Sequence, residues 1–347
     1  MKRIQFLDGF RGLAIIWVVL FHTFSRWTTL MPYGENYKGN LFIDQGFLAI
    51  YLFFLISGFV ILLTLERSKN FITFLKNRWI RLFPSMLICG LIIYFTGSFF
   101  YERPNGIPNL VDLIPGLTFI DPFFYNQFTP LKVGILEGAF WSIFVEVKFY
   151  IFFGLMYFYL GSRKAIAGIF GMFLIYNVVF YTNALISNQY LKLIEMVFYK
   201  LGFSYFGWFT TGALVYFYFN NKNFKTLLLS LLIGVLSVIG LRVSNIATVI
   251  ALLILILFVA TVKYKFLQKV VDNKIFLLMG IVSYPYYLIH ENITVASIIK
   301  TNKYLPEMPY LVLVFVPVLM ILLFAYPYSK FIEPKIQKKL KLILIKK

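Results

Sequence analysis

Cysteine is almost absent. Cys89 is the only one in 347 residues, so no internal disulfide and no cysteine-built metal site can form. Charge is scarce as well. Asp, Glu, Lys and Arg make up 14% of the chain against 60% hydrophobic residues, and mean hydropathy is +0.81. A soluble domain of this length has too little interior to hide that much apolar surface. Acidic residues are the rarest charges, 14 against 33 Lys and Arg, for a net +19. No internal repeat is visible, and no soluble domain of useful size stands at either end. Lys2 and Arg3 precede an apolar stretch, as in a signal peptide. Residues 23–27 (TFSRW) offer no small-residue cleavage site, however, so the stretch is read as an uncleaved first span.

What the chain does hold is a series of apolar runs near twenty residues long. These define an all-α polytopic membrane protein with about ten transmembrane helices. The spans are expected near 10–25, 46–65, 82–100, 140–160, 165–182, 199–219, 226–241, 246–262, 275–299 and 309–330. The aromatic fraction, 20%, suits interfacial belts and a packed intramembrane core. Residues 1–333 are read as the transmembrane domain and 334–347 as a basic cytoplasmic tail. The segment 101–139, rich in Pro, Gly, Asn and Asp, is expected to be a structured loop or lid. With an even number of spans both termini share one side. That side then collects 22 of the Lys and Arg residues and the opposite side 9. Positively charged loops stay in the cytoplasm, so both termini are placed there. The same asymmetry accounts for the net +19 without nucleic acid.

This topology gives a depth to each polar group within a span. Such groups are costly there and are functional candidates for that reason. His22 lies about 18 Å along the first helix from residue 10, in the outer half of the bilayer. Glu146, in WSIFVEVKFY (141–150), lies about 8 Å below the outer surface. Pairing with Lys148 is the plainer role for Glu146, but positions two apart face different sides of a helix. His290 and Glu291 also fall in the outer half. Both histidines of the chain and the carboxylate of the fourth span therefore share one layer, where separate helices can join them as an acid–base cluster.

A second cluster lies on the inner side. Arg11 begins the first span, and Arg78 and Arg81 open the third in RWIRLFP (78–84), with Pro84 at a first-turn position. Arg11 by itself is an ordinary cytoplasmic anchor, but guanidinium forks also suit phosphate. Arg11 and His22 stand about 16 Å apart along a helix. A coenzyme A molecule with its phosphates at the arginines would extend its pantetheine arm inward and deliver a thioester near His22. Ser57 and Gly58, in FFLISGF (53–59), read as a close-packing site between helices.

At these residues the sequence resembles the acyltransferase 3 family, integral-membrane acyltransferases that modify surface glycans and related acceptors, mainly in bacteria. LDGFRGLAIIWVVLFH (7–22) carries an Arg and a His separated by ten residues, here Arg11 and His22. FFLISGF, RWIRLFP, WSIFVEVKFY and SYPYYLIH (283–290) resemble further family segments in the same order. Three positions depart from the pattern: Val147 stands where a second Glu is frequent, Phe144 where Ser is common, and Pro285 inside the late motif. The chain resembles relatives without an added periplasmic hydrolase-like domain.

The resemblance implies transfer of an acyl group, usually acetyl, from cytoplasmic acyl-CoA to a hydroxyl beyond the membrane. Arg11, Arg78 and Arg81 are the expected donor-binding residues, with acetyl-CoA as co-substrate and no metal. His22, Glu146 and His290 are the expected catalytic residues. His22 acts as general base or as transient acyl carrier, and Glu146 or His290 orients it or shuttles the proton. The expected partners are acyl-CoA, an extracytoplasmic glycan or lipid-linked sugar, and the lipid bilayer, with no nucleic acid. The expected location is the bacterial cytoplasmic membrane. A secondary transporter or flippase of a lipid-linked glycan is the competing reading, although such proteins normally show repeated halves. A regulatory protein that keeps the fold without catalysis is a third.

Overall fold

A computed structural model describes residues 4–345, and among them no strand occurs. The longer helices are α1 (Gln5–Phe21), α2 (Ala49–Leu65), α3 (Phe71–Thr96), α4 (Trp141–Leu160), α5 (Ser162–Ile186), α6 (Gln189–Lys200), α7 (Phe206–Asn221), α8 (Phe224–Ile239), α9 (Asn245–Lys263), α10 (Lys274–Tyr304), α11 (Tyr310–Pro327) and α12 (Glu333–Leu344). The protein is all-α and polytopic. Lipid offers no partner to backbone N–H and C=O groups, so a spanning segment must satisfy them within its own helix. Asparagine and serine caps mark several helix starts. Asn188 accepts from Tyr190 and Leu191, Asn223 from Lys225, Ser244 from Ala247 and Asn273 from Phe276. Each such cap is worth about 1 kcal/mol.

Each predicted span meets a helix. Among the described residues, seven segments are long and apolar enough to cross a bilayer. The spans predicted at 199–219, 226–241 and 275–299 fall on helices outside that group. α7 and α8 have 16 residues each, and the 31-residue α10 dilutes its apolar run with His290, Glu291, Asn292 and Lys300. One boundary differs in a way that matters. The third helix starts at Phe71, not near residue 82, because Asn70 accepts from the Thr73 N–H and opens it early. Arg78 and Arg81 therefore stand inside α3, and Pro84 is an interior proline rather than a first-turn one. Segment 101–139 is a loop with two short helices, Leu113–Thr118 and Pro122–Phe128. The basic tail past residue 333 continues as the helix α12.

The chain divides into two compact units. The first holds the chain through Ala49, then Asn77–Phe144, then the chain from Val271. Its organising contact is α1 against α10, where Gly12 and Gly280 meet the facing backbone, while Gly9 meets Val271 just before α10 begins. A Cβ on Gly9 would stand 2.2 Å from the Val271 carbonyl oxygen, one on Gly12 1.9 Å from that of Phe276, and one on Gly280 1.9 Å from that of Asp8. The two backbones touch, as small residues allow in membranes. Beyond α1 the chain folds back over itself. Phe24, Met31 and Tyr33 pack with Val295, Ile298, Leu313 and Val314 in a buried cluster.

The second unit holds Ile50–Lys76 and Val145–Val270. Its centre is a second glycine contact, α2 on α7. A Cβ on Gly58 would lie 2.0 Å from the Phe209 carbonyl oxygen, and one on Gly212 the same distance from that of Leu55. The close-packing role expected of Gly58 holds. Between α8 and α9, Arg242 takes a left-handed backbone (φ 53°). Its guanidinium lies 3.5 Å from the Phe180 ring centre and donates to Asn177 Oδ1 at 2.6 Å.

Candidate active site

Packing of α1 on α10 brings both histidines of the chain together. α1 ends at Phe21, and His22–Arg26 continues as one wide π-helical turn. Such turns are rare and re-aim side chains. His22 Nδ1 lies 3.1 Å from Glu291 Oε1. The His22 and His290 rings meet edge to face, centres 4.9 Å apart at 85°. Adjacent positions on one helix, 290 and 291, thus place an imidazole and a carboxylate on either side of His22.

The burial of these groups differs. Glu291 and His290 are buried, whereas the His22 side chain keeps 16% exposure. His22 is the member that a substrate can reach. Its Nδ1 faces a carboxylate and so carries the proton, which leaves the Nε2 lone pair to act as base. The Nδ1 contact is not aligned as a straight hydrogen bond, a usual condition for a catalytic pair without substrate. His290 Nδ1 donates to the Tyr287 carbonyl at 2.8 Å, and its Nε2 has no partner among the described residues.

Glu291 is held on several sides. Trp27 Nε1 donates to Oε1 at 3.2 Å, the same oxygen that His22 approaches. A Cβ on Gly138 would come within 2.7 Å of Oε2, so a larger residue there would displace the carboxylate. Glu291 Oε2 is buried without a hydrogen-bond partner among the described residues. Tyr287 fixes this stretch of α10 by donating to the Ala139 carbonyl at 2.9 Å and pairing with Ser142 Oγ at 2.8 Å.

Behind Glu291 stands another carboxylate, Glu137, with no exposed surface. Asn292 serves it twice, its N–H donating to Oε1 at 2.8 Å and its side-chain amide to Oε2. Arg103 lies 3.7 Å from Oε2 and also donates to the Leu136 carbonyl. Burial, and then the charge of Glu291, push the Glu137 carboxyl above the ordinary carboxylate range. Burial lowers Arg103 below the usual arginine range. Loop 101–139 thus supplies a buried acid and a buried base that brace α10 one residue beyond the His290–Glu291 pair.

The inner arginines are arranged differently. Arg11 Nη1 donates to Asp8 Oδ1 at 2.9 Å, one turn earlier on α1. Arg81 Nη1 donates to Glu333 Oε1 at 2.7 Å, and the guanidinium lies 5.6 Å from the Tyr284 ring centre. Asp8 and Glu333 are buried, while the Arg11 and Arg81 side chains keep 27% and 43% exposure. Each arginine pairs with an acid and keeps part of its side chain exposed. Arg78 lies half-buried one turn before Arg81.

Glu146 belongs to the second unit. Ser57 Oγ donates to its Oε1 at 2.5 Å, and Lys148 instead donates to the Lys200 carbonyl at 2.5 Å. The structure therefore joins His22 with His290 and assigns Glu146 a separate partner within its own unit. Sequence reasoning grouped Glu291 with the histidines, which it does adjoin, without giving it the role its position suggests. It missed Trp27, Glu137, Arg103, Asn292 and Glu333. For Glu137 there was one signal, a lone acid beside the start of an apolar run. For Trp27 there was none.

Comparison with known proteins meets this geometry. A family model of an acyltransferase domain matches residues 4–332. The chain belongs to the acyltransferase 3 family. Within that family, it is 29% identical over 164 residues to a Staphylococcus aureus (strain COL) protein named provisionally as an O-acetyltransferase. That match takes in 44% of this chain and 24% of the relative. It is 30% identical over 176 residues to O-acetyltransferase OatA of Staphylococcus aureus (strain NCTC 8325), covering 45% of this chain and 25% of the relative. The matched stretches thus span about a quarter of the length of these curated relatives. No solved structure matches the chain.

Proposed function

We propose that this membrane protein is an O-acyltransferase that moves an acyl group, acetyl in the simplest case, from acyl-CoA to a hydroxyl of an extracytoplasmic glycan or glycolipid. One observation carries the reading. The only partly exposed histidine of the cluster, His22, has Glu291 at its Nδ1 and so offers Nε2 as a base. In the reaction, His22 Nε2 takes the acceptor hydroxyl proton as that oxygen attacks the thioester carbonyl. The carbon–sulfur bond breaks, and the imidazolium returns the proton to the departing thiolate. Glu291 stabilises the transient imidazolium, as the acid of a hydrolase triad does. His290, whose ring meets that of His22 edge to face, orients it or shuttles the proton in this reading.

Arg11 and Arg81, with Arg78 beside them, are proposed to bind the phosphates of acetyl-CoA from the cytoplasmic side, where both termini also lie. Their partly exposed side chains support this. Glu146 is the alternative carboxylate. It keeps the family segment, and its bond to Ser57 orients it for a part in proton transfer. The bacterial cytoplasmic membrane is the proposed location.

The test compares ester-linked acyl groups on envelope glycans from cells lacking the gene and from cells complemented with wild type or His22→Ala at equal membrane level. The ester should return only with wild type, and the modified sugar names the acceptor. Restoration by His22→Ala would overturn the mechanism. An unchanged glycan profile in all three strains would turn attention to transport of lipid-linked intermediates.

A further inference from the structure

The second unit carries a groove with a chemistry unrelated to the histidine cluster. It has a volume of about 710 Å³ and lies between α5, α7 and α8. Each helix turns one face to it at helical spacing. α5 contributes Arg163, Ile166, Ala167 and Phe170, α7 contributes Leu214, Phe217 and Asn221, and α8 contributes Lys225, Leu229 and Ile233. The polarity along the groove is one-ended. Ser162 and Arg163 stand in the first turn of α5, Asn223, Lys225 and Thr226 at the start of α8, and Asn221 at the end of α7. Everything deeper is apolar, over about 12 Å from residue 162 to residue 170.

The rim is also of one sign. None of the described lining residues is acidic. Neither α5 nor α8 has an acid in its first turn, so no charge offsets the positive ends of the two helix dipoles here, although Asn223 caps α8. Arg163 and Lys225 are exposed at the rim. Lys164 and Lys222 flank it, the latter held over the Tyr218 and Phe219 rings. An apolar trough closed at one end by cations fits an amphiphile with an anionic head. A free phosphate has no use for the trough, and a neutral lipid has none for the rim.

We infer that this groove binds an anionic glycerophospholipid, its phosphate between Arg163 and Lys225 and one acyl chain along Ala167, Phe170, Leu214 and Ile233. Basic pockets between membrane helices recognise such head groups. This site is independent of acyl transfer and stands or falls separately from it.

The test titrates the purified full chain in neutral detergent with phosphatidylglycerol, with phosphatidylcholine of the same acyl chains, and with inorganic phosphate, reading bound mass and thermal shift. Wild type should prefer phosphatidylglycerol by roughly thirty-fold, the electrostatic worth of two basic groups near a membrane surface. R163Q/K225Q should lose that preference while its lipid-free melting temperature stays put. R163K/K225R should keep it, and Ala167→Trp, which fills the trough, should weaken both lipids. Equal affinity of wild type for the two lipids would overturn the inference, as would a preference retained in R163Q/K225Q. Competition by inorganic phosphate at the same concentration would reduce the groove to a bare anion site and also overturn it.

Discussion

The two polar clusters of the first unit bury charge in opposite ways. At the arginines each cation meets a buried acid, Arg11 with Asp8 and Arg81 with Glu333, and keeps part of its side chain exposed. At the outer histidines the charged or chargeable atoms end unpaired. His290 Nε2 and Glu291 Oε2 are buried without partners among the described residues, and His22 is the only ring with an exposed edge. A paired cation is a stable handle for something that arrives charged. An unpaired base beside a carboxylate is poised to change its own charge. Only α1 reaches both clusters, with Arg11 near its start and His22 just past its end.

The sharpest way to break this contrast is His22→Ala. Transfer should fall by about a hundred- to ten-thousand-fold with the protein still inserted, the usual span for a lost general base. Measured ester content against membrane level checks it. Next comes the carboxylate. Glu291→Gln should cost about a hundredfold or more in kcat, because the imidazolium loses its counter-charge. Glu146→Gln keeps an acceptor for Ser57 and should cost less. The reverse order of the two losses would move the orienting role to Glu146.

Arg81→Ala should act at the other end. It should raise the KM for acyl-CoA by about ten- to a hundredfold, the worth of a charge-assisted hydrogen bond, with kcat little changed. An unchanged KM would remove Arg81 from donor binding. Trp27→Phe deletes one hydrogen bond to Glu291 and should slow transfer by about fivefold, read from single-turnover rates. The smallest effect concerns pH. Burial favours the protonated form of Glu137 in the fold, so its pKa is raised relative to the unfolded chain. Its contribution to stability is then fully present below the ordinary carboxylate range and is lost as pH rises through the raised value. Glu137→Gln should flatten that decline in melting temperature, and an unaltered pH profile would deny it.

Much of the fold was legible because membrane spans announce themselves by composition. Every predicted span has a helix, and the depth argument put His22, His290 and Glu291 in one layer. Gly58 also declared its packing role, since small residues mark close helix contacts. The start of α3 was misread because FITFLKNRW is too polar for a span yet fully capable of helix once Asn70 caps it. Beyond the meeting of His22 with His290, pairings between distant segments were not legible. Nothing near Arg81 in sequence points to Glu333, and nothing near Glu291 points to Trp27. A hydropathy pattern fixes how deep a residue lies, while its neighbour at that depth depends on which helices pack.

The indole of Trp27 and the imidazole of His22 meet the same carboxylate oxygen of Glu291. Whatever charge His22 carries, Trp27 shares its counter-ion. The protein thus has a spectroscopic reporter built beside its base. The Trp27 emission, isolated as the difference between wild type and Trp27→Phe, should follow the protonation of His22 without an added probe.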